Sequence, residues 1–380
     1  MLKSTTGYDY KIISGDSHTI EPPDLWTKWL EKKYQDKAPK LVKDAEGGDA
    51  WLYEPTGNPE PLGLVTKVGG TFEQLKWTGS KYGVNIHPGC HDGKERLKLL
   101  DIDGVDAECL YPPQRAMNTF MKQTDQEAHL AGIRAYNRWL IEGFCSADPR
   151  RLIAITEAPN LGVETAVAEL KAAKKQGVRG MVISTWPSGG PMISKTDDPF
   201  WAAAEEMQMP ISIHILLNNT AGGSARRATI PEAASALGAT AFGNFMPLVI
   251  ELIFSGLFDR FPNLKIIGVE VGAGWVPHFL EMTDDRYWRN RTWAKTRLDK
   301  APSQYWHDNF LATFISDKIG VQVRHAVGVD NMAWSTDFPH HGNDFPYSRR
   351  SIDEHFVNVP DDDRYKIICG NIGKAYGLLN

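Results

Sequence analysis

Eight short β-rich runs alternate with longer stretches along this chain, and that alternation limits the fold more than any single motif does. The runs cover residues 11–16, 107–112, 152–158, 179–184, 210–215, 265–271, 309–315 and 332–337. Each reads as a strand bounded by turn-forming or charged residues. Between them, residues 125–146, 162–176, 275–288 and 361–376 place apolar side chains at helical spacing. Gly177 supplies a stop after the second of these helices. Alternating strands and helices indicate a parallel α/β fold. Eight such units predict a closed (β/α)8 TIM barrel, with residues 1–380 as a single domain. An open doubly wound sheet is the alternative. Its Gly-rich first turn is missing, because the first run ends in Gly15-Asp16-Ser17-His18.

Two connections are too long for simple strand-to-helix loops. They cover residues 19–92 after strand one and 216–243 after strand five. The first holds Leu25-Trp26-Thr27-Lys28-Trp29 and a hairpin signal at Pro55-Thr56-Gly57-Asn58. Both leave the C-terminal ends of strands, where barrels build active sites, so each is expected to be a lid or a dimer element. A net charge of −5 argues against non-specific nucleic-acid binding. No apolar run reaches the roughly 18 residues of a membrane span. The polar start has no signal-peptide core, so a cytoplasmic location is expected. Cys90, Cys109, Cys145 and Cys369 match no metal or redox spacing and read as reduced thiols. Some of the 12 tryptophans should pack around a large cavity or an interface.

The chemistry-bearing residues fall at strand ends. Asp16 and His18 stand at i and i+2, so the two-residue strand period aims both side chains at the barrel interior. A carboxylate and an imidazole so placed can share one divalent ion. His214 ends strand five within Ile211-Ser212-Ile213-His214-Ile215, and Asp337 ends strand eight. Each alone has a plain structural reading: a turn cap, a satisfied core histidine, or an N-cap aspartate. Together they form an Asp/His/His/Asp set at one barrel end. That set suits Zn²⁺, Mn²⁺ or Fe²⁺ and leaves room for water or substrate.

The stretch Asp16-Ser17-His18-Thr19-Ile20-Glu21-Pro22-Pro23-Asp24-Leu25-Trp26 resembles the first-strand motif of the amidohydrolase superfamily. More narrowly, it resembles the branch related to aminocarboxymuconate semialdehyde decarboxylase. Arg96-Leu97-Lys98 with Asp103-Gly104-Val105-Asp106, Phe261-Pro262-Asn263-Leu264-Lys265, Gly272-Ala273-Gly274-Trp275, residues 334–340 and Gly370-Asn371-Ile372 agree in order. The resemblance implies a barrel with one catalytic divalent metal, Zn or Mn, on Asp16, His18, His214 and Asp337. It also implies a small organic or aromatic acid as substrate and a homodimer or higher oligomer. Two departures stand out. Glu270 occupies the place where the decarboxylases typically carry His, and Asp16 opens a motif that often starts with His or Glu.

Asp337, Glu270 and His340 are therefore the candidate catalytic residues. The resemblance favours non-oxidative decarboxylation of an aromatic or muconate-like acid, with Asp337 passing a proton to carbon. The alternative is hydrolysis or hydration of a lactone, ester or activated C–C bond, with Asp337 or Glu270 as general base. A metal-free barrel that only binds a ligand is the third reading. His341, His87, His91 and Arg115 are further candidates for the pocket, each with an ordinary structural alternative. Trp26, Trp29, Trp186 and Phe338 are expected either to wall the substrate or to pack the core.

Overall fold

The computed structural model describes residues 2–215 and 243–380. All but the last residue of the expected second long loop, 216–243, lies outside these. β1 (Ile13–His18) is followed inside the first insertion by β2 (Lys40–Lys43), β3 (Asp49–Leu52) and β4 (Glu60–Pro61). Seven more strands come after: β5 (Ala107–Tyr111), β6 (Leu152–Glu157), β7 (Gly180–Val182), β8 (Ile211–His214), β9 (Ile266–Val269), β10 (Phe310–Phe314) and β11 (Met332–Trp334). All eight expected runs are strands. They form one parallel sheet in the order β1-β5-β6-β7-β8-β9-β10-β11. These strands are buried almost throughout, as strands covered on both faces must be.

The sheet closes on itself. Beyond β11, Asp337 N donates to Asp16 O at 2.9 Å, and His18 N donates to Phe338 O at 2.7 Å. A seam of hydroxyls completes the closure. Ser14 Oγ, Ser17 Oγ and Thr336 Oγ1 lie 3.0–3.2 Å apart, and Thr336 N donates to Ser14 Oγ at 2.9 Å. A closed barrel leaves no edge strand to manage, so the open-sheet alternative does not hold.

The end of the barrel opposite the site is plugged by Tyr376 from the C-terminal helix. Its hydroxyl lies 2.6 Å from Tyr111 Oη and 2.9 Å from Ser212 Oγ. Gly180 makes room for that ring, because a Cβ there would sit 2.4 Å from Tyr376 Cε1. The helix expected over 125–146 runs Gln126–Arg138, with Asp125 accepting from Glu127 N and Ala128 N, and continues through a wider turn at Trp139–Phe144. No helix among the described residues is long and apolar enough to cross a membrane.

The first insertion folds as a small antiparallel sheet, β2-β3-β4, with the expected hairpin between β3 and β4. It is tied to the C-terminal face of the barrel. Lys67 N donates to Pro339 O, Lys67 Nζ to Asn343 O, and Asn343 Nδ2 back to Lys67 O, at 2.7–3.0 Å. Tyr82 Oη donates to Glu21 O at 2.6 Å, and Thr119 Oγ1 to Tyr53 O at 3.1 Å.

Candidate active site

Strand ends position every side chain of the site. The β1–β5 pairing is interrupted by a bulge between Ser14 and Ser17. Bulges re-aim side chains next to functional sites. Here Asp16 and His18 still converge, with His18 Nε2 3.3 Å from Asp16 Oδ1 and 3.3 Å from Asp337 Oδ1. His214, at the end of β8, brings Nε2 to 3.9 Å from Asp16 Oδ2 and 3.8 Å from Glu270 Oε2. Glu270 and Asp337 both sit just past their strands with left-handed backbones, φ +61° and +55°. That conformation is costly for non-glycine residues and persists where surroundings hold it. Glu270 N is held by Thr313 Oγ1 at 2.8 Å and Asp337 N by Asp16 O.

His340 completes the group. Its Nδ1 lies 2.9 Å from Asp337 Oδ1, and its ring stacks on His18 at 4.1 Å between centroids. Asp16, His18, His214, Asp337, Glu270 and His340, all expected from the sequence, are thus brought together. His341 is exposed and held only through its backbone, donating to Leu64 O. His87 caps its own turn by accepting from Gly89 N, and His91 packs edge-on to Tyr82. Arg115 pairs with Glu60 and stays largely exposed. Trp26 packs against Phe120 in the core, Trp29 lies beneath Arg138, and Trp186 is fully buried.

The electrostatics are those of a cluster short of positive charge. Burial, then the Asp337 and Glu270 carboxylates, push the Asp16 carboxyl well above the usual range. Burial holds the imidazoles of His18 and His214 below theirs. Burial also raises Asp337, but the neighbouring His340 and His18 outweigh it and hold that carboxyl low. For His340, burial is outweighed by Asp337, and the net direction is up. Asp16 Oδ1 and Oδ2, His18 Nε2, His214 Nε2 and Asp337 Oδ1 are buried without a well-directed hydrogen bond. Buried polar atoms are normally paired. A divalent cation is the usual partner for such atoms, and one ligand atom from each of Asp16, His18 and His214 lies within 4.8 Å of the others, as does one from each of Asp16, Glu270 and Asp337. The residues present fit a metal ion.

Two supporting residues were not given a role from sequence. Arg96 is fully buried, donates to both oxygens of Glu108 at 2.9 and 3.0 Å, and sends Nη2 to His18 O at 2.5 Å. Its guanidinium lies 4.5 Å from the Phe338 ring centroid, so it holds the backbone at the end of β1 and packs on the side chain that follows β11. An arginine on the buried face of helix Gly93–Asp103 was the available signal. Tyr111 packs its ring against His18 and His214 at 6.4 and 6.2 Å. A cavity of about 1050 Å³ lies away from the site, around Lys265, Asp308 and Asn331, and holds none of these residues.

A family model for amidohydrolases matches residues 83–378. The chain belongs to the amidohydrolase family. Among relatives of this amidohydrolase, the decarboxylase orsB of Emericella nidulans is 28% identical over 212 residues. That match covers 52% of this chain and 61% of the relative, so it spans less than two thirds of that protein. The gamma-resorcylate decarboxylase of Polaromonas sp. is 27% identical over 303 residues, 74% of this chain and 86% of the relative. The structure of a 5-carboxyvanillate decarboxylase from Novosphingobium aromaticivorans, complexed with manganese and 4-hydroxy-3-methoxy-5-nitrobenzoic acid, superposes with a TM-score of 0.67. It is 17% identical, with 99% of each chain covered, and shows the shared barrel fold.

Proposed function

We propose that this amidohydrolase is a metal-dependent carboxy-lyase that removes CO₂ non-oxidatively from an aromatic or muconate-like carboxylic acid. The carrying observation is the set of buried oxygens and nitrogens on Asp16, His18, His214 and Asp337 that lack a well-directed hydrogen bond among the described residues. The sequence relatives, a decarboxylase and a gamma-resorcylate decarboxylase, supply the reaction class. Those four residues would hold one divalent ion, manganese or zinc. A bound ion supplies Lewis-acid polarisation of substrate oxygens and neutralises the carboxylates. Asp337 and His340, 2.9 Å apart, hold the proton that is passed to the carbon bearing the carboxylate. The C–C bond to that carboxylate then breaks, its electron pair returns to the ring, and CO₂ leaves.

Residues 19–92 serve as a lid over this end of a single-domain barrel, and the enzyme works as a homodimer or higher oligomer. Glu270, whose carboxylate lies 3.8 Å from His214 Nε2, favours hydrolysis or hydration as a second reading, since it is placed as a further general base. Manganese-loaded protein, incubated in H₂¹⁸O with carboxyl-¹³C hydroxybenzoates and, separately, with their esters and lactones, separates the two. Labelled CO₂, lost in Asp337→Asn, supports decarboxylation. Oxygen-18 in the organic product, without CO₂ release, overturns it in favour of the second reading.

A further inference from the structure

A second group of buried polar atoms without well-directed hydrogen bonds lies on the barrel wall next to His214, apart from the metal-binding candidates. Thr156 and Met181 face outward into a cleft against the helices carrying Asn137 and Ala173. Strand alternation therefore turns Glu157, the last residue of β6, inward, and does the same for Ser184 just beyond β7. The β7–β8 register pairs Val182 with Ser212, and Ile183 N donates to Ser212 O. Two residues further on, Ser184 stands level with His214. Glu157 is 1% exposed and Ser184 fully buried.

Glu157 Oε1 accepts from Ser184 N at 3.0 Å and the Ser184 hydroxyl also faces the carboxyl, while Glu157 Oε2 has no well-directed hydrogen bond among the described residues. Ser184 Oγ, Thr185 Oγ1 and Asn160 Oδ1, just past the same two strands, are likewise buried without a well-directed hydrogen bond among the described residues. No cationic side chain among the described residues pairs with Glu157, and burial pushes its carboxyl up to about 8. A carboxylic acid kept neutral can both donate and accept a hydrogen bond. A second anion would find no counter-charge there, whereas a neutral hydroxyl would find a donor and an acceptor.

We infer that Glu157 and Ser184 form a neutral hydrogen-bonding subsite for a ring hydroxyl of the substrate, distant from the carboxylate that is lost. This rests on the reading of the site as one for aromatic acids, and makes the substrate a polyhydroxylated member of that class. The subsite discriminates by leaving buried polar atoms unpaired when the hydroxyl is missing.

Calorimetry on the manganese-loaded protein tests this with 2-hydroxybenzoate and its 2,3-, 2,4- and 2,5-dihydroxy counterparts. Wild type should bind one dihydroxy acid about tenfold or more tightly than 2-hydroxybenzoate. Glu157→Leu should bring that ratio near unity, Ser184→Ala should lower it, and Glu157→Gln should keep most of it. The affinity for 2-hydroxybenzoate itself should hold in all three, which a merely structural role would not produce. Ser184→Ala, the smallest change, keeps the test in force if Glu157→Leu does not fold. A ratio near unity in wild type, or one unmoved by these variants, overturns the subsite and leaves a buried water as its occupant. Failure of all four acids to bind overturns the aromatic-acid reading as well.

Discussion

At the scale of residues, the site is a balance between burial and like charge. Arg96 and Glu108 are both fully buried and bonded to each other. Removing one partner strands the other charge, so Arg96→Met should cost about 3–5 kcal/mol of unfolding free energy, read from denaturant titration. The double variant Arg96→Met with Glu108→Leu should recover much of that. An equal loss in single and double variants would contradict the pairing. Glu157 gives a pH signature. Its folded-state pKa of about 8 lies above the ordinary value of 4.5. The folded state thus binds the proton more tightly than the unfolded chain. The associated stability is fully present below about pH 4.5 and is lost as pH rises through about 8. Glu157→Gln, which cannot ionise, should match wild type in acid and gain on it steadily across that window. A gap between the two that does not change with pH would contradict this.

At the scale of elements, the eight strands were legible because their apolar runs and flanking helices follow simple periods. Asp16 and His18 were legible because they close the first run, and His214 and Asp337 because they close two others. Arg96 carried no role in the sequence, since its importance lies in reaching the His18 carbonyl 78 positions away. Glu157 read only as part of the run 152–158, because nothing local reveals that one of its oxygens lacks a well-directed hydrogen bond. The bulge in β1 and the left-handed backbones of Glu270 and Asp337 were equally hidden, being set by tertiary hydrogen bonds. The insertion illustrates coupling between elements. Asn343 donates to Lys67 O and to His340 O, joining the β2–β4 segment to the loop that carries His340. Asn343→Ala leaves those buried acceptors short, at a cost of about 1–3 kcal/mol. Hydrogen exchange should quicken in residues 62–68 and 338–343, and turnover should fall. Unchanged exchange in both segments would contradict the coupling.

At the scale of the whole molecule, the barrel holds three carboxylates among three imidazoles at one end, and the burial of Asp16 with its repulsion by Asp337 and Glu270 opposes folding until a cation enters. In metal-free protein, Asp16→Asn removes one of the crowded, buried carboxylates. It should raise the unfolding temperature of metal-free protein above that of wild type. Added manganese should reverse the order, because a ligand that binds only the folded state stabilises by mass action. A fall in unfolding temperature for metal-free Asp16→Asn would contradict the charge argument. The account as a whole stands on one ion held by Asp16, His18, His214 and Asp337. Anomalous scattering at the manganese edge from a crystal of manganese-loaded protein locates that ion directly. One strong peak is expected within coordination distance of all four side chains, absent in His214→Ala. A peak elsewhere, or none in fully loaded protein, would contradict it.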